Sequence, residues 1–219
     1  TKPNNTMIIL IDNGHGFDTA GKCSPDGRHK EWAWTREVAI MLQEELAKRG
    51  HDARLIVPEK NDIGLTERAR RVNVICAAHG KQNCLIISLH NNAAGADGKW
   101  HDARGWCAFT SRGQTQADVL ATHLYDAAKV ALKDYIDNFS SPSPKQRPIR
   151  TDYTDGDPDL EAEFAILVKT GCPAVLTENM FQDNHEDVAY LASTEGKRAI
   201  VKLHADGIEA YINGKRRTT

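Results

Sequence analysis

Three short stretches of this chain end in side chains able to bind a metal or move a proton. They are MIILIDNGHG over 7–16, LIISLHNN over 85–92 and AVLTENM over 174–180, carrying His15, His90 and Glu178. Hydrolytic zinc sites take three ligands from His, Asp or Glu and leave the fourth position to water. His15 and His90 supply two such ligands. Glu31 is the expected third: it follows the loop over 12–30 and opens a helix, where its charge suits the N-terminal dipole. Glu37 on the same helix and His29 two residues earlier are its rivals. Glu178 then remains as an unligated carboxylate beside the ion. Burial next to Val175 and Leu176 would disfavour that carboxylate without a partner, which points to a functional role.

These residues are far apart in the chain, so the fold must gather them. Met7–Ile11, Leu85–Leu89 and Ala174–Thr177 are apolar runs bounded by polar residues and read as buried strands. In an open parallel sheet, ligands bind outside the carboxyl ends of the strands, where these three side chains would converge. Between the runs, helical and strand periods alternate, as an α/β fold requires. Trp34, Val38, Met41, Leu42 and Leu46 mark one helix face, with Gly50 as its stop. Ala53–Val57 reads as a second strand, and Thr66 as the cap of a helix carrying Ala69, Val72 and Cys76. Gly105–Thr110 reads as a further strand, Thr115 with Asp118 as a capping box, and Asn184 with Asp187 as another helix start. Thr194 opens a last helix through Ile212. The expected fold is a single α/β domain over 7–213, with a mostly parallel twisted sheet of about six strands and helices on both faces. Residues 1–6 and the basic tail 214–219 are expected to be flexible.

The totals narrow the function classes. At 219 residues the chain suits one domain with a sizeable core. A net charge of −2 leaves no electrostatic footprint for nucleic acid, and no apolar run reaches the ~18–20 residues of a membrane span. Five cysteines without CxxC spacing read as buried free thiols, with a Cys76–Cys84 or Cys107–Cys172 bridge left open. TKPNNT at the start has no apolar core of a secretory signal. Asp152, Asp155, Asp157 and Asp159 lack the Gly and Glu positions of a calcium loop and read as solvated.

The motifs together resemble the zinc-dependent N-acetylmuramoyl-L-alanine amidases, hydrolases that cut peptidoglycan between muramic acid and the stem peptide. The family's strand followed by Asp-x-Gly-His-Gly is Asp12-Asn13-Gly14-His15-Gly16, and its helix-entering Glu falls on Glu31. Its Ser-x-His-x-Asn is Ser88-Leu89-His90-Asn91-Asn92, and its Pro-Ala-Val-Leu-x-Glu is Pro173 to Glu178, followed by Phe181 and Asn184. Leu65, Arg68 and Asn73 match a Leu-x-x-Arg-x-x-x-x-Asn helix, and Arg150 with Phe164 fits a weaker later region. Asn13 replaces the usual Pro, and Asn179-Met180 the usual small residues.

The resemblance implies one Zn2+ per chain on His15, Glu31 and His90, with Glu178 as general base and acid. It implies a peptidoglycan or muropeptide substrate at the bacterial cell wall, either as a lysin or as a remodelling enzyme. A monomer is expected. Asp12 is expected to orient a ligating imidazole; Asn91, Asn92 and Arg150 to contact the stem peptide; and Trp100, with Trp106, to stack on sugar. Two alternatives stand beside this reading: a zinc peptidase or deacylase acting on another amide, and a non-catalytic peptidoglycan-binding module.

Overall fold

Successive strand residues point to opposite faces of a sheet, and the apolar runs fill both. Ile9, Ile11, Leu85, Ile87 and Leu89 enter one core, whereas Ile8, Leu10 and Ile86 enter another. The computed structural model describes residues 7–218. Its strands are β1 (Ile8–Asn13), β2 (Asp52–Leu55), β3 (Cys84–Asn92), β4 (Cys107–Thr110), β5 (Leu160–Glu161) and β6 (Ala174–Phe181). They form one sheet in the order β2-β1-β3-β6-β4-β5. All pairings are parallel except that of β4 with β6, so the expected mostly parallel sheet is found.

The helices are α1 (Glu31–Lys48), α2 (Leu65–His79), α3 (Gln116–Ala131), α4 (Lys133–Asp137), α5 (Ala165–Val168), α6 (His185–Ala192) and α7 (Thr194–Thr218). The larger core takes Trp34, Val38 and Leu42 from α1, Leu120 and Leu124 from α3, and Leu203 and Ile208 from α7. The smaller core takes Val72 and Cys76 from α2 with Ile166 from α5. Helices therefore cover both faces. The Thr115–Asp118 capping box forms, and Asn184 caps α6 by accepting from Glu186 N and Asp187 N. Thr66 does not cap: α2 starts one residue earlier, after Gly64, with no side-chain cap.

Residues 1–6 and 219 lie outside the described residues, and 214–218 continue α7 beyond the expected stop at Ile212. All five cysteines are free. Burial pushes Cys107 up to about 12, so its thiol is unreactive at neutral pH. No helix among the described residues is long and apolar enough to cross a membrane.

His204 of α7 sits fully buried behind β6. Its Nδ1 faces Ile200 O at 2.7 Å and its Nε2 faces Thr177 Oγ1 at 2.9 Å. Both ring nitrogens are thus satisfied in the neutral form, with Nδ1–H donating and Nε2 accepting. Burial drives its pKa down from 6.5 to about 4. The unfolded chain therefore takes this proton first as pH falls. The stabilisation is complete above pH 6.5 and drains away between 6.5 and about 4, by ~3 kcal/mol in all. Thermal melts at pH 7.5 and 4.5 should show a smaller acid loss for His204→Gln than for the parent; parallel profiles would refute this account.

Candidate active site

The period of two decides what faces the site. Asp12, Ser88, His90, Leu176 and Glu178 share one face of β1, β3 and β6, and all line a cavity of about 400 Å³. His90 and Glu178 are direct register partners on adjacent strands. Leu65 and Arg68 of α2 and Phe164 and Ile166 at α5 form the opposite wall. His15 enters from two residues past β1, in a left-handed conformation with φ 61°. The glycine before it leaves room for the second imidazole: a Cβ on Gly14 would stand 2.5 Å from His90 Cε1.

Glu31 reaches the cavity because the loop before it doubles back. Cys23 pairs antiparallel with Lys30, and Glu31 N donates to Lys22 O at 3.1 Å. Glu31 is 1% exposed. Its Oε1 accepts from Asn91 N at 3.0 Å and lies 3.1 Å from His90 Nδ1 and 3.4 Å from His15 Nε2. Donor atoms of His15, Glu31 and His90 all fall within 4.8 Å of one another. The remaining oxygen Glu31 Oε2 and the neighbouring Glu178 Oε2 are buried with no hydrogen-bond partner among the described residues. Unpartnered buried carboxylate oxygens are unfavourable unless a positive group answers them. Two imidazoles and one carboxylate therefore fit the protein ligand set of a catalytic zinc ion.

The charges are strongly coupled. Burial works against ionised Glu31, but hydrogen bonds and charge from His15 and His90 outweigh it, holding the carboxyl well below the usual range. Burial likewise pulls His90 down, and Glu31 reverses it to a net rise. Glu178 is pushed up to about 7, first by burial; His90 opposes the rise and Glu31 adds to it.

Several expected roles change. Asp12 touches no imidazole. It accepts from Arg68 Nη1 at 2.7 Å and from Ser88 Oγ at 2.6 Å, while Arg68 donates on to Asn13 O at 2.6 Å and His15 O at 3.3 Å. Asp12 thus acts on the His15 backbone through Arg68. Asn91 faces away from the cavity, as an odd-numbered residue of β3 must. It is 4% exposed, its Nδ2 donating to Asn179 O at 2.7 Å and its Oδ1 lying 2.8 Å from His29 Nε2.

His29, the other rival to Glu31, is buried against Asn91 and is held away from the cluster; burial lowers its pKa, although Asn91 opposes this. Glu37 pairs with Lys197 at 2.8 Å and is not a ligand rival. Trp100 stacks on His185 at 3.7 Å, lining a different cleft, and Trp106 is fully buried with Nε1 donating to Asn179 Oδ1 at 3.0 Å. Neither ring faces the groove. Asn92 is half-buried, its Oδ1 accepting from Ala93 N at 2.9 Å. Arg150 lies 5.1 Å over the Phe181 ring, close enough to Glu178 to lower its pKa.

Lys22 also stands in the cavity wall, a place its sequence does not mark, because a lysine in a Gly-rich loop carries no local signal. Asn179 was noted only as a departure. Its Nδ2 donates to His90 O at 3.1 Å beside a shift in the β3–β6 register, and Met180 follows with φ 62°. The pair re-aims the strand end at the site.

Comparison with known proteins shows the family. The chain is 26% identical over 218 residues to the endolysin of Bacillus phage SPP1, covering 97% of this chain and 69% of that protein. It is 25% identical to the N-acetylmuramoyl-L-alanine amidase CwlM of Bacillus licheniformis, covering 94% and 68%. In fold it is similar to the catalytic domain of the amidase CwlV from Bacillus (Paenibacillus) polymyxa, with TM-score 0.72 and 18% identity over 95% of this chain and 99% of that one. The N-acetylmuramoyl-L-alanine amidase family model matches residues 9–210, a span that includes His15, Glu31, His90 and Glu178 together with the sheet that gathers them. This chain belongs to the N-acetylmuramoyl-L-alanine amidase family.

Proposed function

We propose that the chain hydrolyses the amide between N-acetylmuramic acid and L-alanine of peptidoglycan, with one Zn2+ on His15, Glu31 and His90 and with Glu178 as proton carrier. The observation that carries this is the donor cluster of His15, Glu31 and His90 beside the unpartnered Glu178 carboxylate in one groove. Bound Zn2+ supplies Lewis acidity and lowers the pKa of a coordinated water from 15.7 to about 7.

The protein's own groups do the rest. The Glu178 carboxylate accepts a proton from the attacking water as the water oxygen bonds the lactyl carbonyl carbon. As the C–N bond breaks, the same carboxyl gives that proton to the departing L-alanine nitrogen, leaving a carboxylic acid and a free amine. A positive charge beside Glu178 lowers its pKa and favours the base form at neutral pH. Phe164, Leu65 and Ile166 give one side of the groove an apolar wall. Arg150, stacked over Phe181 and near enough to Glu178 to act on its charge, is the proposed partner of a stem-peptide carboxylate, a pairing that suits guanidinium. Asn92 is the proposed contact for a peptide group. The setting is the bacterial wall.

Digestion of purified peptidoglycan, with metal analysis of the same preparation, tests the reading. New L-alanine amino termini, no new reducing sugar and one zinc per chain are expected. Amines appearing only within the stem would assign a peptidase instead, and a preparation with neither products nor zinc would leave a binding module.

A further inference from the structure

The acidic segment 152–159, read from sequence as solvated, turns inward at its end. Asp159 is 1% exposed. Its Oδ2 accepts a hydrogen bond from the Thr110 hydroxyl at the end of β4, but its buried Oδ1 has no hydrogen-bond partner among the described residues. Asp157 presents a second such buried oxygen, also Oδ1, while its Oδ2 accepts from Gln114 Nε2 at 2.8 Å. Asp118, 3% exposed in the first turn of α3, is the third member. One oxygen from each of the three lies within 4.8 Å of the others.

Three carboxylates at that spacing repel one another when all are ionised. Either a cation lies between them or a proton does. Burial, partly opposed by the Thr110 hydrogen bond, and then Asp157 and Asp118 push Asp159 up to about 8.

We propose that Asp118, Asp157 and Asp159 form a second cation site, separate from the His15–Glu31–His90 cluster, and that its ion is Ca2+. The donors are all hard oxygens, with no imidazole or thiolate to favour zinc. Buried aspartates replace water around the ion; Ca2+ tolerates this with 6–8 flexible oxygens, whereas Mg2+ keeps its waters and demands octahedral geometry. Half-buried Asp157 leaves a side through which water completes the shell. The ion ties the 152–159 segment to the end of β4 and the first turn of α3.

Calorimetric titration of the full zinc-loaded chain with calcium chloride, then with magnesium chloride, reads the binding directly. Calcium at a hundred times its measured dissociation constant is expected to raise Tm by about 5–10 °C, with a smaller rise for magnesium. Asp157→Asn removes one ligand charge at the half-buried position, so folding is preserved; it should lose the calcium response while retaining the parent's zinc content. Asp159→Asn keeps an acceptor for Thr110 and should behave alike, with a calcium-free Tm no lower than the parent's. Absence of calcium heat and of any Tm shift in the parent would overturn the site in favour of a shared proton. A calcium response in Asp157→Asn equal to the parent's would overturn the ligand set.

Discussion

Glu178→Gln is expected to lower kcat on peptidoglycan by about 10²–10⁴-fold, the usual contribution of a positioned proton carrier, with zinc content unchanged. The amide keeps the shape of the side chain but accepts no proton. Its effect on the fold should run the other way. Burial raises the carboxyl to about 7, so in the metal-free protein the ionised form is unfavourable: stability is full below the ordinary carboxylate pKa and declines as pH rises through about 7. Removing the charge should therefore leave the metal-free variant melting no lower than the metal-free parent at pH 8. Activity and melting curves on the same preparations decide the matter. Unchanged turnover would remove Glu178 from the reaction, and lost zinc would recast it as a ligand.

The second large effect is expected at Glu31. Its Oε1 is shared by two imidazoles and the Asn91 N–H. Glu31→Gln keeps an acceptor for Asn91 and removes the proposed anionic ligand. Zinc affinity should fall by more than the 10–100-fold typical of losing a group that merely supports a ligand, and activity should fall with it. Glu37→Gln on the same helix is the control: its carboxylate answers Lys197, so zinc content and turnover should match the parent. Metal analysis after dialysis separates the two variants. Full zinc occupancy in Glu31→Gln would mean that another group is the third ligand.

Much of the fold was legible because the apolar runs are long and their spacing regular. Met7–Ile11 and Leu85–Leu89 could be little else than central strands, and the loop-then-helix pattern around Trp34 placed Glu31 near their ends. The antiparallel entry of β4 beside β6 was not legible, because strand direction depends on the connection and the residues themselves do not mark it. Around the site, the errors share a cause. Adjacency to His90 suggests a substrate role for Asn91, yet the pleat sends neighbours to opposite faces, and Asn91 falls on the face away from the cavity. Asp12 was placed against an imidazole, when the buried guanidinium of Arg68, 56 residues away, claims it. Pairings over that distance are set by how α2 lies on the sheet, which local pattern does not encode. Trp100 and Trp106 illustrate the same limit: an aromatic ring near a site in sequence carries no direction.

The strand order has a consequence for when the site is assembled. β6 comes after the other five described strands in the chain, yet it lies between β3 and β4 and delivers Glu178 opposite His90. A ribosome-bound or C-terminally clipped chain ending before residue 174 would hold both histidines and Glu31 but not Glu178, and its half-built sheet would have an open slot at the middle. The pairing of Glu178 with His90 therefore forms in one step, when that slot is filled.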